Sequence, residues 1–272
     1  MSRRSCRLLV LAACLAASSF LASASPAEVG TVRVILVGDS TMATRTGYGD
    51  ALCAALRANI KCINLARGGR SSGSFRAEGL WDDVMSLLRA KDPVTTTYVL
   101  IQFGHNDQPG KPGRSTDLVT EFPVNIARYV DDVKSLGAVP VLVTPLTRRI
   151  FREGVLQNDL KPWADATRRI AETRQAILLD LNAKSAAAVT TMGSAEADTL
   201  AEEPPPEKLP SDAVKAANAA KQEANGATAK SRFDYTHLGA KGAVFFARMV
   251  EQELTQAVPS LAAQFKADNP PR

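Results

Sequence analysis

Five short apolar runs alternate with longer amphipathic segments along this chain, and this alternation limits the folds that the chain can adopt. Runs that are apolar on both faces are typical of strands in a parallel sheet covered by helices. These runs lie at residues 32–37, 62–65, 98–103, 139–143 and 176–181. Segments with helical spacing lie at residues 48–59, 78–89, 122–136, 161–173 and 240–254. The order predicts an α/β protein, a three-layer α/β/α domain with a doubly wound parallel sheet.

The first 24 residues have the pattern of an export signal. Three arginines precede an apolar stretch at 8–21, and small residues follow up to Ala24. We expect cleavage after Ala24 and a secreted or periplasmic protein. In the alternative, a lipoprotein signal ends at Cys14, which would be acylated and would anchor the protein to a membrane. The apolar stretch falls short of the roughly 20 residues that span a bilayer, so no other stable membrane association is expected.

The composition of the chain without residues 1–24 indicates one domain and no nucleic-acid partner. Removing residues 1–24 takes away three basic and no acidic residues, so the formal net charge falls from +5 to +2. No basic run remains to form the positive face that nucleic acid requires. Residues 25–258 suffice for one sizeable core. Within them, the Ala-, Glu-, Lys- and Pro-rich stretch 192–231 is interpreted as a flexible excursion near the site, with a solvated helix at 212–224, and 259–272 as a loose C-terminal tail.

Cys53 and Cys62 are the only cysteines after residue 24. Export makes a disulfide chemically possible. Cys53 falls in a helical pattern and Cys62 in the next strand, and the sequence gives no Cα separation to satisfy the strict geometry of a disulfide. We therefore expect free, buried thiols.

Ser40, Asp234 and His237 have the residue types and positions of a catalytic triad. Ser40 follows the first apolar run, at the end of a strand where α/β sheets bind ligands. A serine hydroxyl becomes a good nucleophile when a base accepts its proton, and that base needs a carboxylate to hold its tautomer. His237 is one of only two histidines in the chain, and Asp234 lies three residues before it. In a tight turn this spacing brings carboxylate and imidazole into contact, which predicts a serine esterase.

Such an esterase also needs preorganised donors for the oxyanion of its tetrahedral intermediate. The candidates are the Ser40 backbone N–H, the Asn106 side-chain amide and a glycine N–H in the segment 66–71. Glycine allows the close backbone approach that such a donor needs. These groups predict an oxyanion hole at the same edge of the sheet as Ser40.

Four short blocks resemble those of SGNH (GDSL-like) hydrolases in order and approximate spacing. They are GDST at 38–41, GRS at 69–71, GHND at 104–107 and DYTH at 234–237. Within that superfamily, NLARGGRSS at 64–72 and FGHNDQ at 103–108 are similar to rhamnogalacturonan acetylesterases. The resemblance covers roughly residues 32–255 and implies the flavodoxin-like SGNH hydrolase fold.

The resemblance also implies roles for individual residues. Ser40 is the implied nucleophile, His237 its general base and Asp234 the carboxylate that orients the imidazole. The Ser40 N–H, the Gly69 N–H and the Asn106 side chain are the implied oxyanion donors. The family needs no cofactor and no metal ion. Its implied reaction is removal of O-acetyl groups from carbohydrate, with the acetylated rhamnogalacturonan of pectin as the expected polysaccharide or oligosaccharide substrate.

Neighbouring polar and aromatic residues are open to more than one interpretation. His105 is implied to shape the loop that aims Asn106, rather than to act as the base. Asp39 is expected to hold the turn after the first strand, and Asp107 to accept hydrogen bonds from loop amides. Arg70 is a candidate contact for an acidic sugar, although a structural ion pair is the alternative. Trp163 is a candidate platform for a sugar ring, with a structural role as its alternative.

Other functions remain open on the sequence alone. A metal-dependent phosphoesterase or deacetylase would use His105, Asp107, Asp234 and His237 as ligands, but the spacing matches no common metal motif. A non-catalytic carbohydrate-binding protein would be expected to show an aromatic platform, and aromatics are only 6% of the chain. Among esterases, the alternatives are a GDSL-type lipase or thioesterase, which would prefer long acyl chains, and an acetyl-xylan esterase.

Overall fold

The five apolar runs form one parallel sheet in the computed structural model, which describes residues 31–90, 96–203 and 233–267. Its strands are β1 Val32–Gly38, β2 Lys61–Asn64, β3 Thr96–Gln102, β4 Val139–Val143 and β7 Ile177–Leu179. Between β4 and β7, the short strands β5 Phe151–Arg152 and β6 Val155–Leu156 form a separate antiparallel hairpin. The strand order is β2-β1-β3-β4-β7. This order is that of a flavodoxin-like doubly wound sheet.

Helices cover both faces of the sheet. They are α1 Gly49–Ala55, α2 Ser74–Ala77, α3 Leu80–Arg89, α4 Phe122–Ser135, α5 Lys161–Thr173, α6 Leu181–Asp198 and α7 Ala240–Ala257, followed by a 3₁₀ helix at Pro259–Gln264. Side chains of β1 alternate between two cores, because successive residues of a strand point to opposite faces. Val34 and Leu36 pack with α1, α6 and α7, whereas Ile35 and Val37 pack with α3, α4 and α5. The predicted three-layer α/β/α fold is confirmed.

A helix that the sequence did not predict covers the first part of the predicted excursion. Helix α6 runs through Asp198, although the sequence stretch from residue 192 was interpreted as flexible. Leu200 and Ala201 are buried beyond its end, and the Leu200 carbonyl accepts from the Gly239 N–H at 3.1 Å. The interpretation is therefore wrong for residues 192–203, where Leu200 and two small alanines, Ala197 and Ala201, are buried. The rest of the excursion, with the helix predicted at 212–224, lies outside the described residues.

The segment after α7 is packed rather than loose as far as residue 267. Leu261 and Phe265 are buried, and the Lys266 N–H donates to the Ala55 carbonyl at 2.9 Å. The interpretation of 259–272 as a loose tail is therefore wrong for residues 259–267, because two apolar side chains spaced four apart anchor the segment on α1 and α7. Residues 268–272 lie outside the described part.

The predicted export signal, including Cys14, lies outside the described residues, so cleavage after Ala24 and acylation of Cys14 stay predictions. No helix within residues 31–90, 96–203 and 233–267 is long and apolar enough to cross a membrane.

A disulfide joins Cys53 of α1 to Cys62 of β2, with 5.4 Å between their Cα atoms. The expectation of free thiols is wrong. Helix α1 packs directly on β2, and this packing brings the two Cα atoms within the range that a disulfide spans. The bond closes a short loop at the sheet edge that carries β2.

Replacing both cysteines with alanine is expected to lower the free energy of unfolding by about 2–3 kcal/mol. The estimate follows from the loop-closure entropy that a short cross-link removes from the unfolded chain. Urea titration of the oxidised protein, the reduced protein and the Cys53→Ala/Cys62→Ala variant measures it. Reduction should lower the urea midpoint of the wild-type protein to that of the variant. A wild-type midpoint that does not change on reduction would contradict the stabilising role of the disulfide.

Candidate active site

The candidate site lies where β1 and β3 end side by side, with Gly38 opposite Gln102. Strand β2 lies on the other side of β1, so the strand order reverses between β1 and β3. In open α/β sheets this reversal opens a crevice at the carboxyl ends of the strands, where ligands bind. The loops that follow β1 and β3 carry Ser40 and Asn106, so the fold alone brings these two residues to one crevice.

Asp39 holds the turn that presents Ser40. Its Oδ1 accepts from the Thr41 N–H at 2.9 Å and the Thr41 hydroxyl at 2.8 Å, and its carbonyl accepts from Met42 and Ala43 at 3.2 and 3.0 Å. The carboxylate is fully buried. Burial alone would raise its pKa, but the interactions with His105 and Thr41 outweigh it and hold the pKa of Asp39 below its usual value. Asp39 is therefore an ionised structural group of this turn.

His105 is the partner of this buried carboxylate. Its Nδ1 lies 3.1 Å from Asp39 Oδ2, and the ring is almost completely buried. The His105 carbonyl accepts from Lys111 Nζ at 2.6 Å. These contacts tie the loop after β3 to the Ser40 turn, which agrees with a loop-shaping role and leaves the imidazole no access to substrate.

Asp107 ties the same loop to the segment that contains Gly69. Its Oδ1 accepts from the Ser72 N–H at 3.1 Å, the Ser72 hydroxyl at 2.5 Å and the Thr116 hydroxyl at 2.8 Å. Burial raises the pKa of Asp107 to about 6, against the lowering effect of these hydrogen bonds. Beside it, Asn106 Nδ2 donates to the Arg70 carbonyl at 3.1 Å. The Asn106 amide and the glycine turn are therefore held together.

Ser40 supplies one predicted oxyanion donor, and the glycine turn that supplies another lies beside it. The glycine turn lies close to it, because a Cβ built on Gly68 would be 3.8 Å from the Ser40 Cβ. In the part of the chain that the structure describes, neither the Ser40 N–H nor the Gly69 N–H donates a hydrogen bond within the protein. Buried or partly buried amides without internal partners are free for an incoming ligand. With the Asn106 amide they form a donor set suited to a developing oxyanion.

Replacing Gly69 with alanine is expected to lower kcat about tenfold or more. Space is not the obstacle, since the nearest atom to an added Cβ is Arg114 Nη1 at 3.4 Å. The backbone, however, has φ of +78° at Gly69, where a Cβ costs about 1 kcal/mol or more. Relaxation of that strain turns the N–H away, and a lost oxyanion donor lowers kcat by about 10²–10³.

Gly137→Ala is the matched control for this variant. Gly137 has φ of +73° with no atom within 4 Å of an added Cβ, and it joins α4 to the amino-terminal end of β4, whereas the site lies at the carboxyl ends of the strands. Aryl-acetate kinetics and thermal melts of the two variants separate backbone strain from donor loss. Equal turnover in wild type and Gly69→Ala would remove Gly69 from the site.

Asp234 and His237 form the carboxylate and imidazole pair that their spacing predicts. His237 Nδ1 lies 2.6 Å from Asp234 Oδ2, while Asp234 Oδ1 accepts from the N–H groups of Thr236 and His237 at 2.7 and 3.0 Å. Burial raises the pKa of Asp234, but the hydrogen bonds from His237 and Thr236 prevail and lower it. The carboxylate is thus ionised at neutral pH and fixes the tautomer that leaves Nε2 free to accept a proton.

Thr46 joins this pair to the Ser40 turn. The Leu238 N–H, next to His237, donates to the Thr46 carbonyl at 2.9 Å, and the Thr46 hydroxyl donates to the Ser40 carbonyl at 2.8 Å. Ser40 and His237 are both described, and no direct hydrogen bond joins them. Catalytic hydrogen bonds are often long before substrate binds. Two hydrogen bonds of Thr46, one from its hydroxyl and one to its carbonyl, therefore hold the Ser40 turn next to the segment of His237.

Sequence reasoning missed Thr46 and the arginines that follow β4. Arg149 is fully buried and contacts the segment 234–237, and Arg148 Nε donates to the Thr236 hydroxyl at 3.3 Å. One signal could have revealed the arginines. They come six residues or fewer after a buried parallel strand, at the edge of the sheet where ligands bind.

Both predicted sugar-binding side chains are otherwise engaged. Arg70 pairs with Glu78 through Nε at 2.9 Å and Nη2 at 2.8 Å, and its Nη1 donates to the Gly68 carbonyl. This is the structural ion pair that was its alternative. Trp163 is only 7% exposed and packs in the core beside Gly104. The prediction that it stacks on a sugar is wrong, because a stacking ring must present a free face.

The alternative metal ligand set is not assembled. His237 pairs with Asp234, whereas His105 pairs with Asp39, which is outside the set, and Asp107 accepts from Ser72 and Thr116. Among the described residues, no three His, Cys, Asp or Glu side chains are grouped so that they could hold a metal ion.

Two curated proteins are similar to this chain over more than half of its length. The chain is 33% identical over 167 residues to the probable rhamnogalacturonan acetylesterase YesY of Bacillus subtilis, covering 59% of this chain and 75% of the relative. It is 32% identical over 177 residues to the rhamnogalacturonan acetylesterase RhgT of the same organism, covering 62% and 73%.

Solved structures share the fold. The YxiM protein of Bacillus subtilis matches with a TM-score of 0.60 at 22% identity, over 84% of this chain and 57% of that one. Axe2, an acetylxylan esterase from Geobacillus stearothermophilus, matches with a TM-score of 0.57 at 18% identity, over 83% and 95%. The sequence model of the GDSL-like Lipase/Acylhydrolase family matches residues 36–244, a span that contains every residue of the site described above. The chain therefore belongs to the GDSL-like lipase/acylhydrolase family and is a carboxylic ester hydrolase.

Proposed function

We propose that this hydrolase removes O-acetyl groups from carbohydrate through an acetyl-enzyme on Ser40. The observation that carries the proposal is the pair of Asp234 and His237, joined through Thr46 to the Ser40 turn, where the N–H groups of Ser40 and of nearby Gly69 are free. Relatives at 32–33% identity are named rhamnogalacturonan acetylesterases, which supports acetyl groups on a sugar as the ester that is cleaved.

The reaction follows from the positions of these groups. His237 Nε2 takes the proton of Ser40 Oγ as that oxygen attacks the acetyl carbonyl, and the ionised Asp234 stabilises the imidazolium. The N–H groups of Ser40 and Gly69 and the Asn106 amide bind the oxyanion. Collapse breaks the ester bond, and His237 returns the proton to the departing sugar hydroxyl. Water, deprotonated by His237, then attacks the acetyl-enzyme; the bond between Ser40 Oγ and the acetyl group breaks, His237 returns the proton to Ser40 Oγ, and acetate leaves.

The surface around Ser40 favours a polar substrate over a long acyl chain. A cleft of about 580 Å³ adjoins the serine turn. Its lining is mostly small or polar and contains Thr44, Arg45, Thr46, Asn64 and Arg67. A lipase or thioesterase would instead need an apolar channel for its acyl group.

Positive charge on both sides of the glycine turn favours an acidic polymer. Arg45 and Arg67 line the first cleft, and neither forms an ion pair within residues 31–90, 96–203 and 233–267. A second cleft of about 440 Å³ contains Arg114, whose Nη1 lies 3.5 Å from the Gly69 carbonyl. Guanidinium groups bind carboxylates through paired hydrogen bonds. We therefore propose a uronate-containing pectic polymer, rather than neutral xylan, as the substrate.

The test measures acetate released from acetylated rhamnogalacturonan, acetylated xylan, an aryl acetate and a long-chain aryl ester. Arg45→Gln/Arg67→Gln is compared with Arg89→Gln/Arg169→Gln, which removes the same charge from exposed positions on α3 and α5. For the first variant we expect kcat/KM to fall about tenfold on the acidic polymer, a loss typical of charge-assisted hydrogen bonds. The same variant should turn over the aryl acetate at the wild-type rate. The control variant should match wild type on both substrates.

Each other outcome points to a different function. Release from the aryl acetate alone would keep the esterase and discard the pectic substrate. A higher rate on the long-chain ester would favour a lipase. Polysaccharide binding without turnover of any ester would favour a non-catalytic carbohydrate-binding protein.

Export of the enzyme is part of the proposal, because its polymeric substrate lies outside cells. The N-terminal pattern ending at Ala24 supports it. Intact-mass measurement of protein from the native host should find a chain that begins at Ser25. An unprocessed N-terminus at Met1 would contradict export, and a lipid on Cys14 would identify the lipoprotein alternative.

A further inference from the structure

Arg149 is a fully buried arginine that binds every carbonyl of the segment 234–237. Its Nη2 donates to the carbonyls of Asp234 at 2.9 Å and His237 at 2.8 Å, and its Nη1 donates to that of Thr236 at 3.4 Å. Its backbone N–H donates to the Tyr235 carbonyl at 2.9 Å. One residue thus contacts all four main-chain oxygens of the segment that contains the catalytic carboxylate and imidazole.

The geometry of the segment explains why it needs such a partner. The N–H groups of Thr236 and His237 turn toward the Asp234 carboxylate, so their carbonyls point to the opposite side, into the protein. Buried carbonyls need donors, and within the described residues 233–239 neither a helix nor a strand supplies them before α7 begins at Ala240. The planar guanidinium has five N–H donors in a fixed fork and can satisfy several carbonyls at once.

Arg149 is itself held on the rigid part of the fold. The loop after β4 is buried from Thr144 to Arg149. Within that loop, the Thr147 N–H donates to Ser185 Oγ of α6 at 3.1 Å, and Asn182 Nδ2 donates to the Pro145 carbonyl at 2.9 Å. A guanidinium supported in this way holds the segment 234–237 in a fixed position relative to the sheet.

The charge of Arg149 is retained despite its burial. Burial lowers the pKa of Arg149 to about 10, and the carboxylates of Asp234 and Asp198 act against that shift. The residue is therefore cationic at neutral pH. Its charge interacts favourably with the Asp234 carboxylate.

We propose that Arg149 is the positioning residue that aims His237 at Ser40, by fixing the main chain of residues 234–237 from the inside. The proposal rests on the proposed catalytic role of His237, and it adds a residue that touches neither substrate nor reacting atoms. Without the guanidinium, three carbonyls lose their donor and the imidazole leaves its catalytic position. A misplacement of about 1 Å can lower a rate by about 10²-fold.

The test compares Arg149→Ala, Arg149→Lys and Arg168→Ala on an aryl acetate. Arg168 of α5 is the matched control, because it pairs with Asp165 on the same helix and with Asp180 just before α6. Within the described residues, none of its hydrogen bonds or ion pairs reaches the segment 234–237. We expect kcat of Arg149→Ala to fall about 100-fold with KM near the wild-type value, since no substrate contact is removed. Millimolar guanidinium should restore part of that kcat by refilling the space. Arg168→Ala should keep its kcat and show no response to guanidinium.

Arg149→Lys keeps the proposal testable if the alanine variant does not fold. A lysine retains charge and bulk, but its single ammonium group cannot span the carbonyls of Asp234 and His237 as the fork does. We expect it to fold with kcat still lowered about tenfold or more, and with faster amide hydrogen exchange at residues 236–238. Wild-type kcat in folded Arg149→Lys, a rise in KM alone, or loss of activity only in proportion to unfolding would overturn the proposal.

The aryl acetate keeps this test separate from the choice of natural substrate. Failure on every carbohydrate would reject the proposed substrate and leave the Arg149 measurement intact. Wild-type activity in His237→Ala would reject the proposed base, and with it the reason for positioning the segment.

Discussion

Ser40→Ala is expected to lower kcat on an aryl acetate by about 10⁴-fold or more, the range seen when a serine nucleophile is removed. The reason is that Ser40 is the proposed nucleophile, on a turn that Thr46 joins to the segment of the proposed base His237. The fold should be unaffected. Ser40 contributes its carbonyl to the hydrogen bond from Thr46, and that bond does not involve the side chain.

Ser135→Ala is the control for this variant, since it also removes a hydroxyl but lies exposed at the end of α4. Circular dichroism and thermal melts should be the same for both variants and wild type. A folded Ser40→Ala protein that turns over substrate at near the wild-type rate would exclude the serine mechanism.

His237→Ala is expected to lower kcat by about 10⁴-fold or more as well, because Ser40 then has no base. Asp234→Asn should lose less than either. Its remaining oxygen can still accept from the Thr236 and His237 N–H groups, and Arg149 still holds the main chain. The side-chain amide cannot, however, stabilise the imidazolium as a carboxylate does.

Steady-state kinetics of the single and double variants separate these roles. Groups that act as a unit show non-additive losses, so Ser40→Ala/His237→Ala should be no slower than Ser40→Ala alone. Additive losses would show that His237 acts independently of Ser40. An Asp234→Asn variant slower than His237→Ala would contradict the subordinate role of the carboxylate.

The layered fold could be predicted because its signals are local. Apolar runs such as 98–103 need two covered faces, and helical periodicity at 122–136 and 161–173 gives the crossover helices within a few residues of their observed bounds. The contact of Asp234 with His237 follows from a spacing of three in a turn. Parallel strands then bring Ser40 and Asn106 to one edge without further information.

The features that could not be predicted depend on packing between distant segments. The disulfide of Cys53 and Cys62 requires the distance between α1 and β2, which no local pattern contains. Arg149 was missed because its partners are main-chain carbonyls, which every sequence has. Trp163 was misassigned because its helical position, taken alone, allows either a buried or an exposed ring.

Rapid-quench mass spectrometry of the enzyme during turnover of acetylated rhamnogalacturonan tests the central claim most directly. The account predicts a transient mass increase of one acetyl group on the peptide that contains Ser40, absent from Ser40→Ala and accumulating when deacylation is slowed. Acetate release at full rate with no acetylated Ser40 peptide, or with the acetyl group on another residue, would contradict it.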